Sequence, residues 1–188
     1  PGGFSSDTVN QWRQITGAIS YTDWHPALHT LMMAALLKLV DHPAFVLAVQ
    51  GLCYALAVGY TADVLARWRI PKWVILVITA YLSLNPSISN IMLFPWKDCA
   101  FAIAALFLGA QLLDVHFSQG ESLSPARCLA LGATLSLCAI LRHNGMAMAL
   151  AAGAWLLIAL PQRWKRILPA LLIAVLMTLG IRGQLYPA

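Results

Sequence analysis

The chain alternates long apolar runs with short polar breaks. The runs cover Ala27–Val40, Ala44–Ala66, Trp73–Leu84, Cys99–Val115, Cys128–Leu141, Met146–Leu160 and Ile167–Ile181. Between them lie "DHP", "RWRIPK", "NPSISNIMLFPWKD", "HFSQGESLSPAR", "RHNG" and "PQRWKR". Pro43, Pro71, Pro86, Pro95, Pro125 and Pro161 stand at the ends of runs, where a proline is tolerated beside a helix. The pattern predicts an all-α fold without internal repeats. Ahead of the first run, Ser5, Ser6 or Asp7 is placed to cap a short helix reaching Gln14.

Run length separates the first segment from the rest. At about 1.5 Å per residue, Ala27–Val40 reaches roughly 21 Å, short of a hydrocarbon core about 30 Å thick. It also carries His29 and Lys38, so a helix lying in the membrane interface fits better than a span. The basic loops agree. If this helix lies flat on the outer face, Arg67, Arg69, Lys72, Arg127, Arg163, Lys165 and Arg166 all fall inside, as the positive-inside rule requires. If it spanned, the dense loops "RWRIPK" and "PQRWKR" would fall outside. The expected organisation is therefore a first extracytoplasmic loop with its interfacial helix (residues 1–43), followed by a bundle of about six membrane helices (residues 44–188).

Composition makes the membrane the solvent. Hydrophobic residues are 60% and charged residues 10% of the chain, and mean hydropathy is +0.74, whereas ordinary globular domains carry about a quarter charged residues. The net charge of +5 sits in short loops, which speaks for topology and against nucleic-acid binding. Cys53, Cys99, Cys128 and Cys138 lie in or beside apolar runs without a CxxC pair and read as small buried hydrophobes. The chain opens on "PGGFSSD", with no initiator methionine or signal-like segment, and stops after "GQLYPA". The expectation is a piece of a longer protein with at least one membrane helix before it.

The topology gathers three polar stretches at the outer surface: "FSSDTVNQWRQITGAISYTDWHPALHT", "FPWKD" and "RHNG". Each has an ordinary structural explanation. Asp7 and Asp23 sit near helix starts, Trp24 suits an interface, Lys97 and Asp98 are adjacent charges at a helix mouth, and Asn144-Gly145 makes a turn. Other features go further. An ionised carboxylate can take a proton from an attacking hydroxyl, and Lys97 at a helix N-terminus suits a phosphate. Arg142 lies on the side that positive-inside logic disfavours, which points to a bound anion or a buried partner. Asp41, Asp63, Asp114 and Glu121 read as helix-end or loop residues. HExxH, GxSxG, Walker A and Rossmann glycine patterns are absent, so those chemistries have no support.

Together these stretches resemble the GT-C superfamily of membrane glycosyltransferases, in particular the branch with protein O-mannosyltransferases and lipid A aminoarabinose transferases. "SSD" (Asp7) looks like the acid of the first extracytoplasmic loop, and "TDWHPAL" (Asp23, His25, Pro26) like the Asp-x-His-Pro-Pro step that leads into an interfacial helix. "WKD" (Asp98) is similar to the acid of the second loop, and Arg142 in "RHNG" to the basic residue after the fifth helix. Ala27 replaces the second proline, and Gln50 stands where mannosyltransferases tend to carry an arginine, which suggests a separate bacterial subfamily.

The resemblance implies inverting transfer of a sugar from a polyprenyl-phosphate donor to a glycan, lipid or protein hydroxyl. The site would face outward from a bacterial cytoplasmic membrane. Asp7 would be the base, Lys97 and Arg142 would hold the donor phosphate, and Asp23 and Asp98 would complete the catalytic acids. Trp24, His25, His143 and Asn144 would orient the substrates. A divalent cation is left open, with Asp7 and Asp98 as its ligands if it is used. The competing readings are a polytopic transporter or lipid flippase and a non-catalytic membrane assembly subunit.

Overall fold

A computed structural model of the chain describes residues 3–20 and 27–185. Every regular element among them is helical: α1 (Ser6–Ile15), α2 (Ala27–Leu39), α3 (Pro43–Arg67), α4 (Lys72–Leu84), α5 (Pro86–Met92), α6 (Lys97–Phe117), α7 (Pro125–Leu141), α8 (Gly145–Ala159) and α9 (Trp164–Leu185). A 3-10 turn, Pro161–Arg163, leads directly into α9. The local chemistry accounts for the starts. Ser5 caps α1 by accepting from Thr8 N–H, His42 caps α3 ahead of Pro43, and Ser124 caps α7 ahead of Pro125. A proline in the first turn loses no hydrogen bond, because that N–H has no partner within the helix.

Among the described residues, three helical stretches are long and apolar enough to cross a membrane: Pro43–Arg67, Lys97–Phe117 and Pro161–Gly183. A fourth results if α4 and α5, bent by 49° at their junction, form one broken span. The helices α2, α7 and α8 are apolar but shorter. This differs from the expected set of about six spans. The difference is largest at "NPSISNIMLFPWKD", read as a loop, which contains α5. There Asn85 accepts hydrogen bonds from the N–H groups of Ser87 and Ile88, so Pro86 starts a helix as well as ending one. The basic stretch "PQRWKR" is likewise helical from Pro161 onward.

The core runs along α7, which packs most extensively on α9 and also on α6 and α8. Leu108, Leu131, Leu135, Cys138, Leu156, Ile167 and Ala170 form its buried centre. The α7–α9 contact is close enough that a β-carbon on Gly132 would lie 2.6 Å from the Ala170 carbonyl oxygen. A smaller cluster of Met33, Leu37 and Val46, with Trp12 and Ile15 against it, seats α2 on α1 and α3. Large apolar side chains also face outward, including Leu76, Val77 and Leu84 on α4 and Leu172, Val175, Leu176 and Leu179 on α9. Outward apolar faces on helices of this length are consistent with an integral membrane protein. Cys99, Cys128 and Cys138 are buried, as expected of small hydrophobes, but Cys53 is exposed on α3.

Candidate functional site

The charged side chains gather at two ends of the bundle. One end holds the N-terminus of α6, where Lys97 and Asp98 are the first two residues. The helix α1 is brought there by polar contacts. Thr8 is fully buried and donates to the Pro95 carbonyl at 3.2 Å, and Gly3 N–H donates to the Leu93 carbonyl at 3.2 Å. Gln11, also fully buried, donates to Thr30 Oγ1 at 3.0 Å, and its carbonyl oxygen lies 3.2 Å from His29 Nδ1. A short helix that buries Thr8, Gln11 and Gln14 is held by hydrogen bonds more than by apolar area, because buried polar groups are costly without partners.

This docking places Asp7 over the start of α6. Its Oδ2 lies 3.0 Å from Lys97 Nζ and 3.5 Å from Trp96 Nε1. On the other side of the helix mouth, Arg142 Nε is 3.3 Å from Asp98 Oδ1, and the guanidinium lies 5.7 Å from the Phe101 ring centroid. The second pair is close but poorly aligned. Asp98 Oδ1 is buried and has no hydrogen bond among the described residues, so the contact is coulombic and one acceptor remains open. The pairs are joined through the adjacent residues Lys97 and Asp98, making a patch of two acids and two bases.

The structure thus unites Asp7, Lys97, Asp98 and Arg142. His143 and Asn144 occupy the exposed turn after Arg142, and Asn144 stands at the N-cap of α8 without a side-chain capping bond. That turn is tight: a β-carbon on Gly145 would run into the Cys138 carbonyl oxygen. The sequence-predicted residues Asp23, Trp24 and His25 lie outside the described residues. No group of three or more potential metal ligands occurs among the described residues.

Next to the charged patch along α6 and α7 is an apolar cavity of about 330 Å³ between α2, α3, α6 and α7. Ala100, one helical turn from Lys97, and Leu141, next to Arg142, line it, together with Met33, Val49 and Phe107. Its polar lining includes His29 and Gln50. Gln50 donates to the carbonyls of Met92 and Phe94, each at 3.0 Å, fixing the segment that leads to "PWKD". In the sequence Gln50 stands out only as a departure from a family pattern, and the Gln11–His29–Thr30 network is not apparent. The signal for that network was its polarity, three hydrogen-bonding residues on faces that pack.

The opposite end holds a second charged cluster. Asp114, read from sequence as a helix-end acid, does lie in the last turn of α6, but it is 2% exposed. Arg67 Nη1 at 2.7 Å and Trp68 Nε1 at 3.1 Å donate to its Oδ1, and Arg127 Nη1 at 2.9 Å donates to its Oδ2. One buried carboxylate therefore ties the end of α3 to the end of α6 and the start of α7. Arg67 also pairs with Asp63, and Arg163 with Glu121.

No curated protein and no solved structure matches the chain. A family model does match, over residues 15–186, nearly the whole length. The chain belongs to that family, DUF6020, whose function is unknown.

Proposed function

We propose that the protein is a membrane glycosyltransferase of GT-C type, moving a sugar from a polyprenyl-phosphate donor to a hydroxyl acceptor. The observation that carries this reading is two acid–base pairs beside an apolar cavity, whose lining residues Ala100 and Leu141 stand two residues after Asp98 and directly before Arg142. A lipid-phosphate donor has this division, a long apolar chain joined to an anionic group at which the bond breaks. The polyprenyl chain enters the cavity between α2, α3, α6 and α7, and the phosphate meets Lys97 and Arg142 at the N-terminus of α6, where backbone N–H groups add partial positive charge.

Each cation is paired with a carboxylate. An arriving phosphate competes for Lys97 and Arg142, and Asp7 is then freer to act as base. The acceptor hydroxyl attacks the anomeric carbon and gives its proton to Asp7, while the bond from that carbon to the phosphate oxygen breaks and its electron pair leaves with the lipid phosphate. Lys97 and Arg142 stabilise the charge that grows on that leaving group. The open acceptor on Asp98 receives a hydroxyl of the sugar or the acceptor. Asp23, Trp24, His25, His143 and Asn144 are the remaining substrate-facing candidates. A divalent cation, where used, would draw on Asp7 and Asp98. The basic helix ends face the cytoplasm and the acid–base patch faces outward from a bacterial cytoplasmic membrane.

The donor assignment is tested by binding. Arg142→Ala in membrane-reconstituted protein should weaken binding of a polyprenyl-phosphate sugar by about tenfold or more, the effect of one charge-assisted contact. Unchanged donor affinity would remove Arg142 from the role.

One observation favours a transporter instead. The break between α4 and α5 resembles the interrupted helices on which transporters build their sites. Solute flux through proteoliposomes without sugar transfer would select that reading.

A further inference from the structure

The basic end of the bundle holds a second cavity, of about 180 Å³, between α3, α6, α7 and the loop before α7. This is more than ten times the ~10–15 Å³ needed to hold one water. Its apolar side is formed by Phe107, Leu123 and Leu131, with the Tyr60 ring stacked on Phe107 at a centroid distance of 4.8 Å. Its polar side is formed by Gln111, Asp114 and Arg127.

Two features of its polar side stand out. Gln111 is 6% exposed, yet its side-chain oxygen has no hydrogen-bond donor among the described residues. A buried amide oxygen without a donor costs stability and calls for one. Beside it, Arg127 uses Nη1 for Asp114 and for the Ser122 carbonyl, and a guanidinium has five N–H donors in all. Both oxygens of Asp114 are already engaged by Arg67, Trp68 and Arg127. The cavity therefore offers an acceptor that needs a hydroxyl donor, close to a guanidinium with donors to spare. An ammonium donor would be opposed by Arg67 and Arg127. At the same end, Arg69, Lys72, Lys165 and Arg166 have no ion pair among the described residues, which gives that end a positive field.

We infer that this cavity binds the headgroup of an anionic, hydroxyl-bearing glycerophospholipid, its hydroxyl donating to Gln111 and its phosphate accepting from Arg127. The acyl chains then lie along the outward apolar helix faces. This inference rests on the membrane reading of the helices and is independent of sugar transfer, so either can fail alone. It gives the Asp114 cluster a role beyond joining three helix ends, since that cluster sets the position of the Arg127 guanidinium.

The test is native mass spectrometry of the purified chain released from vesicles with equal parts phosphatidylglycerol, phosphatidylethanolamine and phosphatidylcholine. The wild-type protein should retain phosphatidylglycerol preferentially. Gln111→Leu should reduce that preference by about fivefold, the effect of one hydrogen bond, with its melting temperature unchanged or raised. If that variant unfolds, Gln111→Met repeats the measurement with a more adaptable side chain. Equal retention of the three lipids would overturn the inference, as would a phosphatidylglycerol preference that survives loss of Gln111. Displacement of the lipid by soluble glycerol phosphate would show a site for a free metabolite and would also overturn it.

Discussion

Asp114→Ala removes the carboxylate that joins α3, α6 and α7. The wild-type group accepts from two guanidiniums and an indole, at 2.7, 2.9 and 3.1 Å. A hydrogen bond to a charged group contributes about 1.5–3 kcal/mol, and loss of one member of a buried pair about 3–5 kcal/mol. Solvent recovers part of this, because the side chains of Arg67 and Arg127 are 33% and 46% exposed. The net loss is then about 3 kcal/mol, at the low end of that range. For a chain of this size the melting temperature falls by about 2–4 °C per kcal/mol, which gives about 6–12 °C. The matched control is Asp63→Ala, whose side chain is 60% exposed in an i,i+4 pair with the same Arg67; it should cost no more than about 0.5 kcal/mol. Thermal unfolding in one detergent, followed by tryptophan fluorescence, reads both. Equal shifts for the two variants would refute the reasoning, because they would mean that the buried carboxylate is no more valuable than the surface one.

Two glycines give further tests. Gly132→Ala forces a β-carbon to 2.6 Å from the Ala170 carbonyl and 2.7 Å from Ile173 Cγ2, and should destabilise by about 1–3 kcal/mol. Gly109→Ala, which meets nothing within 4 Å, should stabilise by up to about 1 kcal/mol; parallel melts check the pair. Gly145→Ala drives a β-carbon into the Cys138 carbonyl, displacing the turn that carries Arg142. It should weaken binding of a polyprenyl-phosphate donor by moving Arg142, as titration in nanodiscs would show.

The helices were legible because apolar runs with prolines at their ends leave few alternatives. Ala44–Ala66 became Pro43–Arg67, and Cys99–Val115 became Lys97–Phe117. The helix α5 is hidden in the sequence because Pro86 reads as a breaker, although Asn-Pro-Ser is also a helix start, with Asn85 as its cap. Asp114 was legible in principle: it follows Leu108 and Gln111 at three-residue spacings on the face of α6 that packs inward. An acid on such a face must have a partner. The pairings Asp7–Lys97 and Asp98–Arg142 join residues far apart in sequence, and only the docking of α1 and α7 on α6 brings them together. Sequence could place these residues at one end of the bundle, but not choose their partners.

In the proposed reaction Asp7 accepts the proton of the acceptor hydroxyl. This step is tested most directly by single-turnover transfer from a radiolabelled polyprenyl-phosphate sugar, with the wild-type protein and Asp7→Asn compared in the same proteoliposomes at saturating donor. The wild-type protein should form product, and the variant should bind donor at least as well while turning over about 10²–10⁴-fold more slowly, the range expected for loss of a general base. Equal turnover by the two proteins would remove Asp7 from the role of base.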